Sequence, residues 1–319
     1  MSTFADAPEV TTTTQQQATA TTAASLRGST PEAVLTAATN GSSSSSATTS
    51  ELAEDGYPKD MEIPIRYVKG MEGDVVEARR RWIATLKWRE EEKVDGILDE
   101  ACPHFDIIKR YYPHFYFKHA KNGSVVYYEI PGKIDLNKLR ENGLDMDSLC
   151  RHYVYITEFL WKELDKNPEG KLFTCMDMKG TKLSMFAGEV KEFLVRSAKM
   201  VGAHYPERSY KIFILNAPWW FSVVWKFVMP FVHPNTRAKV VVCGGNFLEK
   251  MGELIDLENV PQDVGGQDPT PPLQGPQELQ MHEHVVKVLK EEGMEMKPIM
   301  LQKRSFRIRA VALLRNMVH

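Results

Sequence analysis

Three short apolar runs, at 172–176, 212–215 and 240–243, constrain the fold of this 319-residue chain more than any other feature. Each has the length and composition of a strand, and helical patterns lie between them. Leu149, Tyr153, Ile156, Leu160 and Leu164 form one helical stripe. Val190, Leu194 and Val201 form a second, which runs up to Tyr205-Pro206, where the proline ring cannot continue a helix. A third helical segment covers 219–228. Apolar strands alternating with helices predict an α/β lobe whose mainly parallel sheet is covered by helices and joined by right-handed crossovers.

Upstream, Val75, Ala78, Trp82, Leu86 and Trp88 fall at helical spacing and predict a small N-terminal helical unit over 58–100. Aromatic and β-branched runs flank Asn122-Gly123, a hairpin signal. Residues 1–57 are rich in Thr, Ser, Ala and Gln, with almost no large apolar side chains, and read as a disordered tail. After Gly265-Gly266 the stretch QDPTPPLQGPQ reads as a Pro-rich linker. The lobe is therefore expected at 101–268 and a C-terminal extension at 269–319, with a helix over 282–292 and a basic tail containing Lys303, Arg304, Arg307, Arg309 and Arg315. That tail is read either as a contact for anionic membranes or as packing on the lobe.

A formal net charge of -2 removes the electrostatic footprint of bulk nucleic-acid binding. Cys102, Cys150, Cys175 and Cys243 form no CxxC pair, which predicts reduced thiols. The start of the chain has neither the basic opening nor the apolar run of a secretory signal, so a cytoplasmic protein is expected. The richest apolar segment, 219–232, contains Lys226 and Pro230 and is shorter than the roughly 20 residues needed to span a bilayer, leaving only peripheral membrane contact.

Catalytic patterns are missing: there is no GxSxG elbow, phosphate loop, GxGxxG fingerprint or HExxH site, so no enzyme activity is expected. His282 and His284 lack a third ligand and are read as a solvated helix face, and no metal is assigned. Asp177 and Lys179 sit where a strand leaves the sheet, which fits either a crevice or a strand-end turn with an internal ion pair. The segment PWWFSVVWKFVMPFV is apolar nearly all round, as in a helix that is buried in a core or faces lipid. In NTRAK just after it, Asn235 or Thr236 can cap a short turn, and Thr236 and Lys239 share one face, a hydroxyl and an ammonium suited to a phosphate.

The segment HYPERSYKIFILNAPWWFSVVWKFVMPFVHPNTRAKVVVCGG, followed by NVPQDVGG, closely resembles the hallmark region of CRAL-TRIO lipid-binding proteins, and most nearly the phosphatidylinositol/phosphatidylcholine transfer proteins. YYPHFYFKHAKNGSVVYYEIPGKI and FTCMDMKG support the resemblance upstream, over about residues 60–268. It implies an apolar pocket floored by the sheet and closed by a gate helix, here Trp219, Trp220, Phe221, Val224, Trp225, Phe227, Val228 and Phe231. Enclosure is needed because burying two acyl chains, at about 0.8 kcal/mol per CH₂, is worth on the order of 20 kcal/mol. The resemblance also implies phosphoinositide recognition by Glu207, Thr236 and Lys239, and choline recognition by Tyr116, Tyr127 and Thr174, with Leu172 where relatives carry a second small hydroxyl residue. Met71 and Glu72 replace a basic pair, and Val264 replaces an aromatic.

The expected function is thus binding and intermembrane transfer of a phospholipid, phosphatidylinositol first, with phosphatidylcholine as exchange partner. No cofactor beyond the lipid is expected, and a lipid kinase or another protein is a candidate partner. Two other readings stand beside it: a lipid-regulated scaffold, and a carrier of a tocopherol- or retinoid-like ligand.

Overall fold

The structure is a computed structural model and describes residues 51–294. The Thr/Ser-rich segment to residue 50 and the basic tail lie outside the described residues. Composition alone groups residues 51–57 with the tail, yet Leu52 bridges to Pro58 and Asp55 holds Arg79 at 2.9 Å. The folded part therefore begins before residue 58.

Two helices come next, α1 (Ile65–Gly70) and α2 (Val75–Glu91), the second capped by the Asp74 carboxylate, which accepts from the Glu77 amide at 3.0 Å. Ala78, Ile83 and Thr85 are the buried positions of α2, whereas Val75, expected on the apolar stripe, is exposed in its first turn. Helix α3 (Phe105–Tyr111) leads into strands β1 (His114–His119) and β2 (Val125–Glu129), the predicted hairpin. At its tip Asn122 Oδ1 accepts from the Ser124 amide at 3.2 Å, and Gly123 takes φ +85°, a conformation glycine adopts freely.

The chain continues through α4 (Leu136–Glu141), α5 (Met146–Phe159) with a π-helical extension Leu160–Leu164, β3 (Leu172–Asp177), α6 (Gly188–His204), β4 (Ser209–Leu215), α7 (Phe221–Val228), α8 (Pro234–Arg237), β5 (Val240–Val242), α9 (Leu248–Leu254) and α10 (Pro276–Glu291). The sheet runs β1-β2-β3-β4-β5; only the hairpin pair is antiparallel, as the α/β expectation required.

The two faces of the sheet meet different surroundings. Phe115, Tyr128, Phe173, Cys175 and Phe213 pack on one face with Phe247 and Met251 in a dry core. On the other face Tyr116 and Tyr127 pack with α5 residues, but Leu172, Thr174 and Met176 are only half-buried. That alternation along β3 marks an incompletely filled space between sheet and helices.

The Pro-rich stretch is not a linker, and the helix expected after it is present. Pro272–Gln274 forms a turn of 3₁₀-helix, and Gly275 lies so close to Phe117 that a Cβ there would sit 2.6 Å from the ring. Helix α10 then covers the open edge of β1: Gln277 Oε1 accepts from the Lys118 amide and Glu278 Oε1 from the Tyr116 amide, both at 2.8 Å. Two side chains thus satisfy strand amides that would otherwise lack partners. The helix begins six residues before the predicted start, because its first turn is recognised by polar contacts rather than by apolar period.

His282 is also inside, near Asp106 Oδ1 at 3.6 Å, and His284 Nε2 meets the Leu98 carbonyl at 2.9 Å. The solvated face expected for this pair is therefore corrected to a packed one.

Candidate functional site

A cavity of about 260 Å³ occupies the half-filled side of the sheet. Leu172, Thr174 and Met176 of β3 with Ile212 and Ile214 of β4 make its floor, while α5 and α6 supply walls through Tyr153, Thr157, Leu194 and Val201. Helix α7 closes it. The floor obeys strand alternation: residues pointing away from the dry core point at the cavity.

The gate region is shorter and less uniform than expected. The α-helix is Phe221–Val228, continued by a 3₁₀ turn over Met229–Phe231, because Pro230 has no amide to extend the ladder. Phe221, Val224, Trp225, Val228 and Phe231 line the cavity. Trp219 and Trp220 precede the helix; Trp219 is 89% exposed, and Trp220 is buried against Phe186 with ring centroids 5.5 Å apart. Phe227 points outward beneath Lys191, whose Nζ lies 4.9 Å from the ring, and Lys199 lies 5.1 Å from the Phe231 ring. A mostly apolar segment is therefore wedged between cavity and solvent, with Trp219, Val223 and Phe227 exposed outside.

The three residues matched to phosphoinositide recognition come together. Lys239 Nζ lies 3.2 Å from Glu207 Oε2, each side chain about one-fifth exposed, and Glu207 and Thr236 both line the cavity. The Lys239 amide donates to the Thr236 carbonyl at 3.0 Å. Glu207 takes φ +58° in the turn between α6 and β4, a sparsely populated conformation for a non-glycine residue. The short helix α8 is capped by His233, whose Nδ1 accepts from the Asn235 amide at 3.4 Å; neither Asn235 nor Thr236 is its cap. A Cβ on Gly70 would sit 3.2 Å from Pro206 Cβ, so the end of α1, with Met71 and Glu72 after it, borders the Glu207 turn.

The second set also assembles. Tyr116 and Tyr127 are buried with ring centroids 5.2 Å apart, and Thr174 stands opposite Tyr127 in the β2–β3 register. The Tyr116 hydroxyl donates to the Ile156 carbonyl at 3.2 Å, whereas the Tyr127 hydroxyl has no partner among the described residues. Leu172 lines the cavity beside them without a polar group to offer.

Sequence reasoning missed two charged groups in the cavity wall. Glu129 is buried under a hydrogen bond from the Tyr112 hydroxyl, and burial pushes its carboxyl up to about 7. Arg208 stacks over Trp161 at 4.0 Å and donates to the carbonyls of Asn167 and Gly170; burial draws it down to about 10. Neither falls in a motif that chemistry alone flags. Burial of Glu129 was nevertheless implied by its position at the end of the apolar run VVYYE.

Asp177 accepts from the Lys179 amide at 2.9 Å and from Asn216 Nδ2 at 2.7 Å, which makes it a strand-end turn held by the backbone, not by an ion pair with the lysine ammonium. Among the described residues no cluster of three His, Cys, Asp or Glu side chains suits a metal, and no helix is long and apolar enough to cross a membrane.

The CRAL/TRIO domain family matches residues 109–266. The chain is 29% identical over 222 residues to phosphatidylinositol/phosphatidylcholine transfer protein SFH4 of Arabidopsis thaliana, covering 65% of this chain and 35% of that protein. It is 28% identical over 236 residues to SEC14 cytosolic factor of Eremothecium gossypii, covering 70% of this chain and 75% of the relative. The alignment thus spans about a third of the plant relative's length. The crystal structure of Sfh5 superposes with a TM-score of 0.55 at 20% identity, covering 72% of this chain and 79% of that one, a likeness of fold. The domain match, these relatives and the shared fold agree with the sheet, cavity and α7 described above, and residues 109–266 of the chain carry a CRAL/TRIO domain.

Proposed function

We propose that this protein binds one phospholipid in the cavity and carries it between membranes, with phosphatidylinositol as the headgroup held at Glu207, Thr236 and Lys239. The observation that carries the reading is the Lys239–Glu207 pair with Thr236 at the border of a largely apolar cavity. A half-buried ammonium suits a lipid phosphate, a hydroxyl can donate to it, and a carboxylate accepts from inositol hydroxyls. A ligand with a bare hydrocarbon or ring end, such as a tocopherol or retinoid, would leave that pair without use. The names of the transfer-protein relatives support the same reading.

Carriage breaks no bond. Docking uses the exposed Trp219, Val223 and Phe227 with Lys226 beside them, side chains suited to the interface of a bilayer. Displacement of α7 would then open the cavity to lipid, with Tyr116, Tyr127 and Thr174 available to a second, choline-bearing class. The protein works from the cytoplasm as a peripheral visitor to membranes in this reading.

Mass spectrometry of co-purifying lipids tests it, comparing the natural chain with Glu207→Lys and Lys239→Ala, with transfer between vesicles measured next. Phosphatidylinositol is expected in the natural protein and lost from both variants. A sterol or isoprenoid in its place would overturn the assignment, and bound lipid that never exchanges would favour a lipid-regulated scaffold.

A further inference from the structure

Glu207 holds its carboxylate beside Lys239 from a left-handed backbone, φ +58°, which is costly for a residue with a Cβ. Such a conformation persists only where the surroundings over-determine it. The residues on both sides of Glu207 are pinned. Downstream, Arg208 is fixed by its stack on Trp161 and its bonds to the Asn167 and Gly170 carbonyls, and its own carbonyl accepts from the Leu172 amide at 2.8 Å. Those partners belong to the matched domain. The upstream pins come from α1 and α2, which lie before residue 109, where the match begins.

Three successive residues at the end of α6 are held in this way. The His204 ring lies flat on Trp88 of α2, with centroids 3.9 Å apart and planes 5° from parallel. Its Nδ1 stands 3.0 Å from Thr85 Oγ1, and its carbonyl accepts from the Tyr67 hydroxyl of α1 at 2.8 Å. The Tyr205 hydroxyl donates to Glu158, which Arg89 of α2 grips through two 2.9 Å bonds. Pro206 lies against Gly70, the last residue of α1, where a Cβ would stand 3.2 Å from the proline Cβ and 3.9 Å from Glu207 Cγ. Thr85 is buried and Trp88 half-buried behind this turn, outside the lining of the cavity. Their side chains reach a lipid headgroup only through His204 and the turn that follows it.

We propose that Thr85 and Trp88 are positioning residues of the headgroup site: by clamping His204 they keep the Glu207 carboxylate at Lys239 and so set the preference for an inositol headgroup over a choline one. The inference rests on Glu207 and Lys239 holding that headgroup, and adds what keeps them in place. A loosened clamp lets residue 207 relax toward an ordinary backbone, and rotation about φ swings its carboxylate away from the ammonium. Lys239 still attracts the phosphate that both lipids share. The acceptor for inositol hydroxyls is what is lost. Tyr116 and Tyr127 stand on β1 and β2, elements the clamp does not use. Selectivity therefore falls while carriage of a choline lipid persists.

The test measures transfer of labelled phosphatidylinositol and labelled phosphatidylcholine between phosphatidylcholine vesicles by the full chain. Thr85→Val keeps the side-chain volume and removes the hydroxyl, and Trp88→Leu keeps apolar bulk and removes the flat ring. Together they are expected to lower the inositol-to-choline transfer ratio roughly ten-fold, with choline transfer nearly unchanged and amide hydrogen exchange over 204–208 faster. Thr85→Ser with Trp88→Phe, which retain the hydroxyl and an aromatic ring, should return the ratio to that of the natural chain. In a Glu207→Gln background the Thr85→Val/Trp88→Leu pair should lower the ratio no further, because the group they position is already gone. An unchanged ratio, a parallel fall in transfer of both lipids, or a second ten-fold drop on top of Glu207→Gln would each overturn the positioning role while leaving the headgroup assignment standing. A Glu207→Gln chain that keeps the natural ratio would instead overturn that assignment, and the positioning with it.

Discussion

Lys109 and Glu278 form an ion pair with no exposure on either side chain, joining α3 to α10 beneath the edge of β1. Lys109 Nζ also donates to the His114 carbonyl at 3.1 Å, so the ammonium is satisfied on two sides, but burial still draws it below the usual lysine range. Removing one partner strands the other charge. Lys109→Met should therefore destabilise the protein by about 3–5 kcal/mol in denaturant unfolding. Pairing it with Glu278→Met should recover part of that loss and not all, since the Tyr116 amide then loses its acceptor, at about 1–3 kcal/mol. Full additivity of the two substitutions would show that they do not meet. Nothing in the sequence joins positions 109 and 278, because charges in amphipathic helices ordinarily face water. Thr236 and Lys239 were legible for the opposite reason, a polar pair on one face just after an apolar run, whereas Glu207 was legible only through the family resemblance.

At the scale of elements, strands β3, β4 and β5 and helices α5 and α6 could be read because their apolar period matches their geometry. Apolar period alone shortens α10 and makes its approach look like a linker, because its first turn is held by Gln277 and Glu278, residues with no apolar signal. It overextends the gate in turn: apolar content continues through Trp219 and Trp220, but Pro218 and Pro230 bound the segment, and the helix occupies only Phe221–Val228. This element is held from outside by the contacts Lys191–Phe227 and Lys199–Phe231. Exposed cation–π contacts contribute about 0.5–1 kcal/mol each. Replacing both lysines with alanine should therefore raise the open population of α7 by roughly five- to thirty-fold, read as faster amide hydrogen exchange over 221–231. An unchanged exchange rate there would mean that the cavity contacts of Phe221, Val224 and Trp225 alone hold the gate.

At the scale of the whole molecule, the lobe is closed by two docked additions. The N-terminal unit attaches where Arg89 makes two 2.9 Å bonds to Glu158, the Tyr205 hydroxyl donates to that same carboxylate, and Trp88 stacks on His204 at 3.9 Å. The C-terminal segment attaches through α10, whose Met281, Val285 and Leu289 are buried with Phe105, Tyr155 and Phe159. Were 269–294 a linker, a chain ending at Asp268 would unfold at the same temperature as one ending at Met294. The contacts argue otherwise. Ending at Asp268 exposes three apolar side chains at about 1.5–3 kcal/mol each, strands Lys109 without its carboxylate and leaves the Tyr116 and Lys118 amides unpaired on an open strand edge. Those losses together match or exceed the roughly 5–15 kcal/mol by which domains are stable. The shorter chain should accordingly lack a cooperative thermal transition and aggregate through β1, while the longer one keeps it; equal transitions in circular dichroism would return α10 to the status of an appendage.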